Sequence, residues 1–597
     1  MDLKLSSQLA SDAARTAVDG VLGPPIAGWD GGERDAGDHR VARAGAGVHG
    51  ERHRLIAVLH AVQDREGWIS PGATNYIAQR LDVAPAEIYG VASFYALFAL
   101  RERPARTVHV CVDLACRMVG SDEASVPIGA HPSPCLGLCE RAPAALVVEA
   151  GEAPRQAVMA PFTAIEVRRV VDGEWPPEEA PAPEATPQVG DASLVLLRRV
   201  GRVDPTSLDS YRAYGGYVAL RRAFDIGPTS VIREVLDSKL VGRGGAAFPA
   251  GRKWDAVARQ PVRPHHLVCN ADESEPGTFK DRTIMEADPY ALIESMTIAA
   301  FAAGCEHGWI YLRGEYPRAM RHLQAAIETA RARGFLGDDI LGSGFSFDVE
   351  IFRGAGAYIC GEETAIFNSI EGFRGEPRNK PPFPVEVGLF GKPTVVNNVE
   401  TLVNVLPVVL GGGLAYASIG TEGSAGTKLF GVSGGVVRPG VFEVPFGATL
   451  RELIDLAGGL PSGRSLQAVL LGGAAGAFVG PSEIDVPLTF EGTRAIGATL
   501  GSGVVMVLDD TVELVPFLQR IAAFFRDESC GQCVPCRVGT VRQEEALARL
   551  AAGIRDGEMP LLAEIGQVMK DASICGLGQT AHNAIESAIV KLGAFAS

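Results

Sequence analysis

At 597 residues the chain is too long for a single hydrophobic core, and roughly three to five domains are expected. A hydrophobic share of 47% supplies material for several cores, and 71 glycines mark many tight turns or close backbone approaches. A formal charge of −16 argues against nucleic acid or an anionic membrane surface as the main partner.

The first 20 residues lack the apolar run of a signal peptide. The most apolar stretch, 402–417, is interrupted by Pro407 and three glycines. It falls short of the roughly 20 residues that a membrane helix needs. A cytoplasmic location is expected, where the 11 cysteines serve as thiols or metal ligands rather than disulfides.

Residues 1–48, rich in Gly, Ala, Asp and Arg without clear periodicity, read as a flexible extension. A helical stripe of apolar residues follows at 55, 56, 58, 59 and 62. A second helix is predicted over 74–81 and a third from Pro85, which suits a first helical turn. Residues 107–113 alternate like a strand, and "ALVVEA" reads as another. Residues 49–173 are thus a helical head with a small α/β unit. The run "EWPPEEAPAPEATPQVG" begins a Pro/Glu-rich linker, 174–194, in which nothing is expected to pack. From 195 to 425, helices alternate with short β-like runs such as "HLVCNAD" and "WIYLRG", an α/β domain. Residues 426–511 form a small α+β module with one helix over 449–457, and 512–597 are largely helical.

Two cysteine sets stand out. "ESCGQCVPCRVGT" places Cys530, Cys533 and Cys536 at intervals of three, and Cys575 follows in "SICGLGQTA". Three thiols on a tight loop plus one remote thiol suit the corners of a [4Fe–4S] cluster. Tetrahedral zinc is the rival, although structural zinc more often takes two separated Cys-x2-Cys knuckles. The residues after Cys536 read as a helix whose N-terminus faces the anionic cluster. The second set is Cys111, Cys116, Cys135 and Cys139. Two pairs, each clasping one iron, suit a [2Fe–2S] rhomb, again with zinc as the rival. Cys269, Cys305 and Cys360 are isolated and read as small buried residues.

Between the two sets lie three glycine- and carboxylate-rich stretches. "GRGGAAFPAGRKW" matches neither the dinucleotide fingerprint nor a P-loop. Its glycines with Arg243 and Lys253 suit a phosphate-bearing ligand held close to the backbone, and a plain loop fits equally. "NADESEPGTFKDR" sets Asp272, Glu273 and Glu275 just after an apolar strand. There carboxylates either line a strand-end crevice or form a solvated loop. "GAGAYICGEETAIFNSIEG" has the same character, with Tyr358 before Glu362 and Glu363 at a helix start.

These stretches, with "KPPFP", "VNNVET" and the C-terminal cysteines in that order, closely resemble the flavin-bearing, NADH-binding subunit of respiratory complex I over roughly residues 200–590. The region around Cys111 to Cys139 resembles the thioredoxin-like [2Fe–2S] subunit of the same machine. Fusions of the two occur as diaphorase subunits of NAD-dependent molybdenum or tungsten formate dehydrogenases and of NAD-reducing hydrogenases. The resemblance implies a multidomain α/β protein: a thioredoxin-like ferredoxin domain, an FMN- and NAD-binding α/β domain, a ubiquitin-like (SLBB) domain and a helical [4Fe–4S] domain. It implies that FMN is held by Gly242, Arg243, Gly244, Gly245, Lys253, Asn270, Asp272, Glu273, Gly361, Glu362, Asn397, Asn398 and Thr401. NAD would touch Phe248, Glu275, Tyr358, Glu363, Lys380 and Phe383. Ala256 departs from the family, where many members carry an aromatic that helps to stack adenine. The partner the resemblance implies is a large catalytic subunit with further iron–sulfur clusters. A molybdopterin-dependent formate dehydrogenase is favoured over a hydrogenase and over complex I. Fusion counts against complex I, and all four thiols of the first set are intact, whereas some hydrogenase fusions have lost them. A zinc-stabilised, non-catalytic scaffold is the alternative of another class.

Overall fold

The computed structural model describes residues 5–25, 49–177, 185–554 and 556–595. The N-terminal part is not wholly an extension. Asp12–Leu22 is a helix capped by Ser11, whose side chain accepts from the Ala14 amide, and Ala14 and Val18 are fully buried one turn apart. Its apolar stripe lies against Leu55–Glu66 and Pro71–Leu81. The latter helix begins three residues before the predicted 74, because Ser70 caps it and Pro71 occupies the first turn. Pro85–Ala92 completes the helical head.

The first sheet comprises β1 (Arg106–Cys111), β2 (His131–Ser133), β3 (Ala145–Glu149) and β4 (Arg155–Met159), in the order β2-β1-β3-β4. It carries the first cysteine set at the ends of its strands.

The linker is not idle where it is described. Ala185 and Thr186 are buried, and the Gln188 amide exchanges two hydrogen bonds with the backbone of Glu443. Glu443 lies on an edge strand, whose unpaired N–H and C=O groups need partners, and the side-chain amide supplies both. The Glu443 carboxylate in turn accepts from the amides of Leu196 and Leu197. Pro and Glu content signals an extended chain but does not preclude its lying against an edge.

The second sheet is wholly parallel: β5 (His266–Ala271), β6 (His307–Leu312), β7 (Asp348–Arg353) and β8 (Thr394–Asn398), ordered β7-β6-β5-β8. The helix Pro289–Ala303 behind it is buried almost all round. Its Glu294 accepts from the Tyr211 hydroxyl and from the amides of Tyr217 and Leu220, which is how a carboxylate survives in this core.

The third sheet is mixed: β9 (Thr427–Gly434), β10 (Gly440–Pro445), β11 (Leu466–Leu471), β12 (Ala477–Val479) and β13 (Val504–Asp509), ordered β10-β9-β13-β11-β12. The helix Leu450–Leu456 packs its Leu450, Leu453 and Ile454 into that core. Among the described residues five helices follow from Leu514 to Leu592. Among the described residues no helix is long and apolar enough to cross a membrane.

Candidate functional site: a cavity between two cysteine sets

All four strands of the parallel sheet deliver chemistry at their C-terminal ends. β5 runs into Asp272, Glu273 and Glu275, β6 into Arg313, Glu315 and Tyr316, β7 into the 354–358 loop, and β8 ends at Asn397 and Asn398. This is the crevice at which open parallel sheets bind ligands. A cavity of about 410 Å³ lies there, within the size range of cofactor sites. Gly244, Gly245, Asn270, Asp272, Glu273, Glu275, Tyr358, Gly361, Glu362 and Asn398 line it.

The glycines make the backbone part of the wall. Gly245 sits at φ +119°, and a Cβ at Gly244 would meet the Asn398 side chain at 3.1 Å. Asn270 donates to the Gly361 carbonyl at 2.8 Å, tying the first strand end to the 354–361 loop. Glu275 accepts from the Tyr358 hydroxyl at 2.5 Å and from the Ala475 amide at 2.9 Å. Burial pushes Asp272 up to about 8 and Glu275 up to about 7.

Several expected residues stand behind the wall. Thr401 Oγ1 accepts from the Arg243 amide at 2.8 Å, and Asn397 Oδ1 from the Trp254 indole at 2.8 Å. The Arg243 guanidinium points into the core, donating to the Tyr416 hydroxyl and the Ala425 carbonyl. Glu273 is part of the lining itself, and its carboxylate accepts from the amides of Asp281 and Arg282. Gly242 lies outside the lining, pairing its amide with the Phe248 carbonyl.

A second group gathers beside the cavity. Glu363 lies between Lys253 Nζ at 3.1 Å and Lys380 Nζ at 2.8 Å, and Lys380 also reaches Glu362 at 2.9 Å. Lys253 Nζ is 5.8 Å from the centre of the Phe248 ring, and Phe248 and Phe383 are both more than half exposed. Ala256 lies on the neighbouring helix Ala250–Ala258.

Sequence reasoning missed half of the wall. Gly472, Ala475, Thr499, Gly501 and Ser502 of the third sheet's domain line the cavity, as do Gly576, Leu577 and Thr580 next to Cys575. "LLGGAAG" and "LGSG" are the signals that could have found them, glycine pairs with backbone free to approach a ligand.

The two cysteine sets flank this cavity. Cys111, Cys116, Cys135 and Cys139 are all buried, with Cys135 Sγ and Cys139 Sγ 3.4 Å apart. The Gly137 amide donates to Cys135 Sγ at 3.4 Å, the kind of N–H···S contact that holds cluster sulfurs. In the second set, Cys533 is the N-cap of Val534–Ala551, so Cys536 lies in that helix's first turn, one turn earlier than expected. Cys575 caps the short helix Gly576–Thr580. The Ser529 hydroxyl lies 3.2 Å from Cys536 Sγ. Buried thiols with amide and hydroxyl donors fit anionic clusters. Among the described residues no three His, Cys, Asp or Glu side chains close on a single-ion-sized point.

A flavin- and iron–sulfur-dependent NADH oxidoreductase is the class that this cavity, flanked by two thiol sets, defines. Sequence families agree along the chain. The Nuo51 FMN-binding domain matches residues 235–407, and the NADH-ubiquinone oxidoreductase-F iron–sulfur binding region matches 516–593. The thioredoxin-like [2Fe–2S] ferredoxin matches 41–156, and the SLBB domain matches 429–475. The chain is 46% identical over 400 residues to the second F-type NADH-quinone oxidoreductase subunit of Rhizobium meliloti, covering 66% of this chain and 94% of that one. It is 42% identical over 395 residues to the NADP-reducing hydrogenase subunit HndC of Solidesulfovibrio fructosivorans, covering 66% and 80%. A crystal structure of an NAD⁺-reducing [NiFe]-hydrogenase in the air-oxidized state superposes with TM-score 0.76 at 31% identity, over 91% of this chain and 93% of that one. The chain belongs to the F-type family of NADH-quinone oxidoreductase subunits, the NADH-binding diaphorases, with a thioredoxin-like [2Fe–2S] ferredoxin fused ahead of the FMN domain. Its cofactors are FMN, a [2Fe–2S] and a [4Fe–4S] cluster, and its substrate is NADH.

Proposed function

We propose that this chain is the NAD-side subunit of an NAD-dependent formate dehydrogenase complex, exchanging hydride with NAD in the cavity and single electrons with a catalytic partner. The observation that carries the reading is the shared wall. The flavin-motif glycines face residues adjoining Cys575 across one cavity, so hydride site and electron exit meet there. When bound, FMN supplies the conversion between a two-electron hydride and single electrons.

The protein's part is to bind, orient and exclude water. Gly244 and Gly245 let the isoalloxazine or phosphate end approach the backbone. Asn270, Asp272, Glu362 and Asn398 offer acceptors and donors to ribityl hydroxyls. The Glu275–Tyr358 pair fixes the wall against which nicotinamide stacks. Phe248, Glu363, Lys380 and Phe383 receive the adenosine end. Cys111, Cys116, Cys135 and Cys139 hold the [2Fe–2S] cluster, and Cys530, Cys533, Cys536 and Cys575 hold the [4Fe–4S] cluster.

The intact, buried first thiol set supports the formate reading. The end-to-end likeness to a hydrogenase chain favours a second reading, a diaphorase for hydrogen. Purifying the intact complex with its catalytic subunit and assaying NAD⁺ reduction separates them. Formate-driven reduction is expected, and hydrogen-driven reduction alone overturns the formate assignment. The isolated chain is expected to reduce ferricyanide with NADH but to turn over neither formate nor hydrogen.

A further inference from the structure

The loop Cys135–Cys139 does not rest on its own domain alone. It is seated on the flavin-binding domain by residues that follow β5 and β6. Arg282 Nε donates to the Gly137 carbonyl at 2.9 Å, and its guanidinium pairs with Glu140 at 2.5 Å and Glu286 at 3.1 Å. Arg313 bridges more directly. One terminal nitrogen donates to the Cys135 carbonyl, and the other donates at 2.7 Å to the carbonyl of Glu273, a residue of the cavity wall.

Arg313 is only 3% exposed. Glu315 is its one ion-pair partner among the described residues, with contacts of 3.4 and 3.5 Å, and Arg313 Nε donates no hydrogen bond. Arg282 has two carboxylates. Asp113 accepts from the Leu114 and Cys135 amides and lies 3.5 Å from Arg520. A buried guanidinium held against the Cys135 carbonyl favours added negative charge beside it. A thiolate-ligated [2Fe–2S] cluster is an anion, and it gains a further negative charge when it takes an electron.

We propose that Arg313, although it belongs to the flavin-binding domain, sets the reduction potential of the [2Fe–2S] cluster and raises it through its buried positive charge. One-electron reduction adds one negative charge beside Arg313 and moves no proton there. The cation therefore stabilises the reduced cluster more than the oxidised one, and little water is present to screen it. Glu315, on the same loop, opposes this effect. The inference rests on the assignment of the four cysteines as [2Fe–2S] ligands.

The test is a potentiometric titration of the full chain followed by electron paramagnetic resonance, with dithionite as reductant. Arg313→Gln is expected to shift the [2Fe–2S] midpoint to lower potential, Glu315→Gln to higher potential, and Arg313→Lys to leave it near the wild-type value. The [4Fe–4S] midpoint serves as internal reference and is expected to stay put. Should Arg313→Gln lose its cluster, the Glu315→Gln shift decides alone. An unmoved [2Fe–2S] midpoint in a cluster-bearing Arg313→Gln (or, where that variant loses its cluster, in Glu315→Gln), or shifts of the same sign in both Gln variants, overturns the role of Arg313. Absence of any [2Fe–2S] signal from the wild-type chain instead overturns the ligand assignment.

Discussion

Glu363→Gln tests cofactor choice most sharply. Burial tends to raise the Glu363 carboxyl, but the charges of Lys253 and Lys380 outweigh it and hold the group below the usual carboxylate range, so it is ionised at neutral pH. The change removes one negative charge and little else. Lys253 keeps the Val396 carbonyl at 3.1 Å, and Lys380 keeps Glu362 at 2.9 Å, so neither ammonium is orphaned. A 2′-phosphate brought within about 6 Å of the carboxylate meets roughly 3 kcal/mol of repulsion per unit charge at an effective dielectric near 20. The Glu363 side chain is 26% exposed, and screening cuts this to about 1.5 kcal/mol, or about tenfold. The two lysines, relieved of a carboxylate, pull in the same direction. The kcat/KM for NADPH is therefore expected to rise roughly tenfold or more, through KM. That for NADH is expected to fall by about two- to threefold, since an amide keeps part of the hydrogen bonding to ribose. Steady-state kinetics with both cofactors decide it. An unchanged NADH/NADPH ratio of kcat/KM refutes Glu363 as the discriminating group.

Three further outcomes are expected. Cys533→Ser should abolish transfer to the catalytic partner yet leave NADH–ferricyanide activity, while Cys116→Ser should be milder on turnover; equal losses in both variants place the clusters in series. Gly137, at φ +67°, has no room for a side chain, because a Cβ would overlap the Tyr316 hydroxyl. Gly137→Ala should cost about 1–3 kcal/mol and shed the [2Fe–2S] cluster, and a variant with wild-type thermal midpoint and iron content contradicts the docked loop. The Asp272 contribution to the stability of the flavin-free chain should fall as pH rises from about 5 to 8. Asp272, at about 8 when folded and near its ordinary 3.8 when unfolded, binds more protons in the folded state across that window, so the slope of unfolding free energy with pH is negative. Asp272→Asn should flatten that slope of the thermal midpoint, and an unaltered slope rejects the burial argument.

The two cysteine sets are legible in the sequence because most of their members are close in the chain. Three thiols at intervals of three occupy one loop whatever the rest of the protein does, and the remote Cys575 is the next cysteine along. The strand-end carboxylates are legible for a related reason. A short apolar run followed at once by polar groups places them at the end of a parallel strand, and β5 does this with Asp272. The helix 12–22 escapes such a reading. Its fully buried stripe is only Ala14 and Val18, one turn apart, too short to announce a period.

What the sequence alone determined was therefore local: which residues carry thiols, carboxylates and glycines, and which elements hold them. Tertiary structure decided what faces what. Third-sheet glycines some 200 residues beyond the β5 loop became part of the cavity wall; the Ala475 amide donates to Glu275 across that distance. Arg313 reached Cys135, 178 positions away, and Arg282 reached Gly137, 145 positions away. Contacts of that separation depend on how whole sheets and helical layers pack. A lone arginine after a strand carries no periodic pattern to announce its partner, so only the packed structure shows Arg313 lying against Cys135.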